Sequence, residues 1–218
     1  MMNKNLLAIE KRPSINGTLW KKRLIDGNIN IDQTSESKLN SILETILYGR
    51  NIKKEDFNDF LDPKVNNLII EPNELVDMDI AIKEIVSTMI VNKKIGIIGD
   101  YDVDGTTSSS LLTNFFDHYN VNSDVYIPDR LKDGYGPNIF AFDQFIEKGI
   151  DTVITVDCGS ASIKPLEYAN KNGIKVIIID HHKVDNILPE CFAHINPTRS
   201  DDKSNLNHLA AVGLTFLF

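Results

Sequence analysis

The stretch Ile95-Gly96-Ile97-Ile98-Gly99-Asp100-Tyr101-Asp102-Val103-Asp104-Gly105 decides how the rest of the chain is read. A β-branched apolar run ends in three aspartates at alternate positions and a glycine. Thr106-Thr107-Ser108-Ser109-Ser110 and Leu111-Leu112 follow, the hydroxyl-rich first turn of a helix. In an extended segment alternate side chains share a face, so Asp100, Asp102 and Asp104 are expected to point the same way. Carboxylates that close repel one another unless a cation lies among them, and hard oxygen ligands suit Mg²⁺ or Mn²⁺. One aspartate alone would read as a helix cap, with Asp104 in that role. Three in register favour a metal site.

Outward from this turn, strands and helices alternate. The strands are predicted at 95–100, 124–128, 152–157, 175–180 and 193–196, with helices at 106–119, 138–148 and 162–171, the last two stopped by Gly149 and Gly173. Runs such as Val153-Ile154-Thr155-Val156 and Val176-Ile177-Ile178-Ile179 lack polar alternation, as parallel strands covered on both faces do. The fold class is therefore α/β, a doubly wound, mainly parallel five-stranded sheet. Upstream, Pro72-Asn73-Glu74-Leu75 is expected to open a longer helix with an apolar stripe through Ala81, Ile82, Ile85, Val86, Met89 and Ile90. Residues 1–72 read as a small helical lead-in, with helices at 35–49 and 53–61 and a basic patch at Trp20-Lys21-Lys22-Arg23. Residues 73–218 then make up the α/β domain.

Ligands of such sheets gather at the carboxyl ends of the strands. The first strand ends in Asp100, Asp102 and Asp104, a later one in Asp157, and the next in Asp180-His181-His182. Separate strands all ending in metal-ligand residues on one sheet edge converge on one pocket, and two divalent ions in such pockets lie about 3.5–4 Å apart. Neighbours on an extended chain project to opposite sides, so the two histidines are expected to divide the work. His181 would ligate metal, His182 would face a substrate phosphate, and Asp180 would orient an imidazole or reach the metal.

The composition suits a soluble globular chain, with 42% hydrophobic and 25% charged residues in a length of 218. No apolar run approaches a bilayer span, and Met1-Met2-Asn3-Lys4-Asn5 is polar, without a secretory h-region. Cys158 and Cys191 are too few for a disulfide framework and fit a reducing, cytoplasmic setting. The net charge of -8 argues against a surface built for non-specific nucleic-acid binding, while a cluster of metal-binding acids would itself account for part of that charge.

In order and context, Gly99-Asp100-Tyr101-Asp102-Val103-Asp104-Gly105, Val156-Asp157-Cys158-Gly159 and Asp180-His181-His182 resemble three motifs of the DHH phosphoesterases, most closely those of the RecJ family of bacterial exonucleases. Ile127-Pro128-Asp129-Arg130, Gly134-Tyr135-Gly136, Leu188-Pro189, Ile195-Asn196-Pro197 and Leu61-Asp62-Pro63 extend the resemblance over nearly the whole chain. It implies 5′-to-3′ degradation of single-stranded DNA in repair and recombination, with two Mn²⁺ or Mg²⁺ ions. It further implies a phosphate grip for Arg130, and for Tyr135 and Gly136 either base stacking or support of a glycine turn. Lys183, Arg199 and His208 are further candidates for a DNA path, or plain solvated side chains.

Two positions depart from the family pattern: Ala211 stands where glycine is usual and Leu217 where lysine is usual. The chain then stops in an apolar run, before the family's next aspartate motif, so a fragment is expected, served by a separately encoded C-terminal half or inactive alone. Two other readings stay open. One is a DHH phosphoesterase of short oligonucleotides, cyclic dinucleotides or pyrophosphate, and the other a non-catalytic remnant. A response-regulator-like role has no use for Asp180-His181-His182.

Overall fold

The computed structural model describes residues 13–19, 35–65, 71–184 and 187–218, with the backbone alone at 35–41. The patch at Trp20 lies outside the described residues. The chain divides into two compact units, Met1–Ile69 and Ile70–Phe218. In the first, α1 (Ser35–Gly49) is followed by a 3₁₀ turn (Lys54–Asp56) and α2 (Phe57–Leu61). Phe57 packs edge-on against Tyr48, with ring centroids 5.1 Å apart.

The second unit opens with a 3₁₀ turn (Pro72–Glu74) and α3 (Met78–Ile90), then alternates: β1 (Ile95–Gly99), α4 (Val103–His118), β2 (Ser123–Tyr126), α5 (Ile139–Glu147), β3 (Thr152–Val156), α6 (Ile163–Lys171), β4 (Lys175–Ile179), β5 (Ala193–Ile195) and α7 (Ala211–Leu217). All five strands are parallel, in the order β2-β1-β3-β4-β5. The apolar β-branched runs become strands because both faces are covered. Ile95 and Ile97 of β1, Ile154 of β3 and Ile177 and Ile179 of β4 pack with α3, α4 and α7. Ile98, Val153, Val176 and Ile178 point the other way, onto Phe142 and Phe145 of α5 and Leu166 of α6. Each such side chain taken fully from water contributes roughly 1.5–3 kcal/mol.

The order reverses between β1 and β3, where the connections leave in opposite directions along the sheet. That divergence opens a crevice at the carboxyl ends of these two strands, the usual ligand position in a doubly wound sheet.

One element differs from its expected bounds with consequence. Helix α4 starts at Val103, three residues before the predicted start, because Asp102 has extended backbone and its side chain accepts the Gly105 N–H at 3.0 Å as N-cap. Asp100, Asp102 and Asp104 therefore do not share one face of a strand. They belong to a strand end, a cap and a helical first turn, and only the tight β1–α4 corner brings them near one another.

Candidate metal centre

The same backbone device occurs three times on the carboxyl edge of the sheet. Asp100, Asp157 and Asp180 each follow the last residue of a strand, and each N–H bonds to the last strand residue of its neighbour: Asp100 to Val156 O, Asp157 to Ile179 O and Asp180 to Ile195 O. A final ladder bond thus pins each carboxylate at one height along the sheet. Two glycines let the backbone close around them. A Cβ on Gly105 would come within 2.7 Å of Asp100 backbone atoms, so only glycine lets α4 rest on the end of β1. Gly159 has φ +112, and a Cβ there would meet Thr155 Oγ1 at 2.6 Å.

Asp157 is the centre of the cluster. It is 1% exposed, sits in the left-handed region at φ 60, and its Oδ1 has no hydrogen-bond partner. His181 Nε2 lies 3.3 Å from that oxygen and His182 Nδ1 3.8 Å. Asp157, His181 and His182 offer one tight group of ligand atoms, and Asp100, Asp102 and Asp157 a second, with the atoms of each within 4.8 Å of one another. Burial, then the charge of Asp104 and a carboxyl–carboxyl hydrogen bond with Asp102, pushes the Asp157 carboxyl up to about 8. Burial also raises Asp100, whereas the Gly105 N–H holds Asp102 below its ordinary value.

Asp180 is in the opposite position. Burial alone would raise it, yet donors outweigh that and hold it at about 2. Its Oδ1 accepts the His182 ring at 2.7 Å and the N–H groups of His181 and His182 at 2.8 and 3.1 Å, and its Oδ2 accepts the Ser160 N–H at 3.1 Å. The bond to Asp180 in turn raises His182 to about 9. Asp180 thus holds an imidazole, one of the two partners expected for it.

The two histidine rings do not project to opposite sides. Their centroids are 4.8 Å apart and both approach Asp157, because β4 ends at Ile179 and the two-residue alternation ends with it. Asp104 Oδ2 lies 3.5 Å from His181 Nε2, while its two oxygens accept the N–H groups of Ala211 and Val212, each at 2.8 Å. Asp104 therefore caps a helix 107 residues away rather than its own.

Tyr135, 48% exposed, donates its hydroxyl to Asp157 O at 2.9 Å, and Gly134 and Gly136 flank it at φ +79. The exposed Arg130 has its guanidinium 5.5 Å from the Tyr101 ring centroid. Arg199, offered as a DNA-path candidate, is instead consumed internally. It bonds Asp77, Asp201 and His194 O, with 9% of its side chain exposed. The sequence assigned no role to Ser160, Asn196 and Thr198, which bond to this cluster from outside. The signals available were their position just past the ends of β3 and β5 and, for Asn196, its place in Ile195-Asn196-Pro197.

The donor set fits a divalent ion. A buried carboxylate oxygen lacks a partner, imidazole nitrogens face it, and burial followed by neighbouring carboxylates raises its pKa, a balance that a bound cation would reverse.

Residues 94–218 match the profile of the DHH family, N-terminal domain. The single-stranded-DNA-specific exonuclease RecJ of Bacillus subtilis (strain 168) is 38% identical over 146 residues, covering 67% of this chain and 19% of that protein. RecJ of Escherichia coli (strain K12) is 37% identical over 124 residues, covering 56% and 22%. A crystal structure of exonuclease RecJ bound to manganese superposes with TM-score 0.59 at 28% identity, covering 66% of this chain and 36% of that one. RecJ of Thermus thermophilus in complex with Mn²⁺, at 22% identity and TM-score 0.62, covers 81% and 24% and bears on the fold alone. The chain spans about a fifth of the length of these curated relatives. With its five-stranded parallel sheet and a profile match over more than half its residues, the chain belongs to the DHH family.

Proposed function

We propose that this chain carries the metal-binding core of a phosphodiesterase that degrades single-stranded DNA from 5′ to 3′ with Mn²⁺ or Mg²⁺. The observation that carries the reading is Asp157 Oδ1: buried, unpartnered and faced by His181 and His182 in the crevice between β1 and β3. The names of the relatives, single-stranded-DNA-specific exonucleases, support the substrate class, and a relative bound to manganese supports the metal.

Asp100, Asp102, Asp104, Asp157 and His181 would hold the ions. Bound there, divalent cations would bring the ionisation of water into the neutral range and offset charge gathering on phosphorus. Asp180 accepts from the His182 ring at Nδ1 and raises its pKa to about 9, which would leave Nε2–H for a phosphate oxygen. Arg130 would grip a backbone phosphate, and Tyr135, tied to Asp157 O beside Gly136, would present its ring to a base. The setting would be cytoplasmic DNA repair or recombination. Residues beyond this chain, or a separate C-terminal half, would complete the enzyme. Among the described residues no helix is long and apolar enough to cross a membrane.

The test is a Mn²⁺ titration of the purified chain, followed by digestion of end-labelled single strands, dinucleotides and pyrophosphate. Metal uptake with preference for single strands supports the proposal. Hydrolysis confined to pyrophosphate or dinucleotides would move the chain to the small-substrate phosphoesterases, and absence of metal uptake would reject the site.

A further inference from the structure

His181 and His182 lie beyond the end of β4, where no ladder bond holds the backbone. The last such bond in this part of the sheet runs from Asp180 N–H to Ile195 O. Two residues further on, the His182 carbonyl meets side chains from the segment after β5. Asn196 Nδ2 donates to it at 2.9 Å, and Thr198 Oγ1 lies 2.9 Å away. Asn196 is 0% exposed, and its Nδ2 also donates to Ser160 Oγ at 3.0 Å. Its Oδ1 accepts the Thr198 N–H at 2.9 Å and lies 2.8 Å from Thr198 Oγ1, so two acceptors share the one hydroxyl proton. Pro197 fixes φ between the two residues. Ser160 closes the circuit, since its N–H bonds Asp180 Oδ2.

We propose that Asn196 and Thr198 are positioning residues for the His181–His182 pair. By holding the His182 carbonyl they prolong the sheet with side chains past its last backbone bond, and so set where both imidazoles stand against Asp157. The inference rests on the metal-site reading above. It adds residues that touch neither ion nor substrate and act through the backbone of a residue that does. Neighbouring pinning points are of a different kind: Asp157 has its own ladder bond and Tyr135 on its carbonyl. Among the described residues, the backbone of the histidine pair has only this clamp and Asp180.

The experiment compares Thr198→Val, which removes the hydroxyl at nearly constant shape, with Thr198→Ser, which keeps it. Thr198 is only half-buried, so both variants should fold; Asn196→Ala is a third, more disruptive probe. Two readouts are taken: amide hydrogen exchange of the metal-free chain by NMR, and Mn²⁺ affinity from the free-ion EPR signal. In Thr198→Val the His181 and His182 amides should exchange about tenfold faster, the size of one lost hydrogen bond, while those of Ile177 and Ile178 in β4 stay unchanged. Mn²⁺ affinity should fall about tenfold, as for loss of an outer partner of a ligand. Thr198→Ser should restore both. A valine variant equal to wild type in exchange and affinity overturns the proposal, as does a serine variant as impaired as valine. If the wild-type chain takes up no Mn²⁺, the metal reading falls, and the exchange rates alone still decide the clamp.

Discussion

The two ends of the same sheet handle charge in opposite ways. At the amino end, Lys175 pairs with Glu84 and Lys93 with Asp151, side chains that water reaches. At the carboxyl end Asp157 and Asp180 are each 1% exposed, and the ion pairs of Asp104, Asp157 and Asp180 among the described residues are all with His181 or His182. Exposed pairs satisfy themselves and contribute little. A buried carboxylate crowded by two others opposes folding and is tolerable if something else binds there. The contrast marks which end of the sheet is built for a ligand.

The largest effect expected from breaking this contrast is at Asp157. Its folded pKa of about 8 lies above the unfolded value near 4, so the native state binds the extra proton between those limits. The metal-free chain should therefore lose stability as pH rises from 4 to 8, by on the order of 5 kcal/mol. Asp157→Asn should flatten that slope below pH 6.5 in urea melts, leaving above it only the loss that His182, raised to about 9 by Asp180, contributes as pH rises. It should at the same time weaken Mn²⁺ binding by about a hundredfold or more, the loss of a ligand exceeding that of an outer partner. A variant that melts and binds like wild type would show that the carboxyl end is no different in kind from the amino end.

Metal should repair what Asp157 costs. At a hundred times its dissociation constant, Mn²⁺ should stabilise the native state by about 2.7 kcal/mol, read as a melting point that rises with Mn²⁺ and falls back with chelator. The same titration on Asp157→Asn should be nearly flat.

The fold was legible because it is written locally. Ile95–Gly99, Thr152–Val156 and Lys175–Ile179 are short β-branched-rich runs without polar alternation, each followed by an aspartate, and each became a strand within one residue of its expected bounds. The convergence of Asp100, Asp157 and Asp180 on one edge followed from strand polarity alone. The pairings were not legible, because they are long-range. Nothing near Asp104 announces that Ala211 and Val212 will take its oxygens, and nothing near Arg199 announces Asp77, 122 positions away. Asp102 misled for a different reason: alternate aspartates look alike in a strand and in a tight cap, and the hydrogen bond to Gly105 decides between them.

A smaller effect sharpens the comparison inside the carboxyl half. His194 on β5 is buried, with burial first and Arg199 second holding its pKa down at about 4. Between pH 6.5 and 4 the unfolded chain binds a proton that the folded chain refuses. Stability should thus fall as pH drops through that window, by about 2 kcal/mol. This slope has the opposite sign to that of Asp157 and should survive in Asp157→Asn, which makes the two separable by urea melts across pH 4–8.

The smallest effect is expected at the amino end, where it tests the other side of the contrast. Lys175 Nζ lies 2.7 Å from Glu84 Oε1 and 5.2 Å from the Phe192 ring centroid, with about half of its side chain exposed. Water screens the pair, and ordering a long side chain offsets much of the attraction, so Lys175→Ala should cost no more than about 1 kcal/mol. The site lies at the far ends of the same strands, beyond three or more residues of rigid ladder, so Mn²⁺ affinity should match wild type. Should Lys175→Ala weaken Mn²⁺ binding as strongly as Thr198→Val, the two ends would be coupled through β4. Charge placement would then have to be read for the sheet as a whole rather than edge by edge.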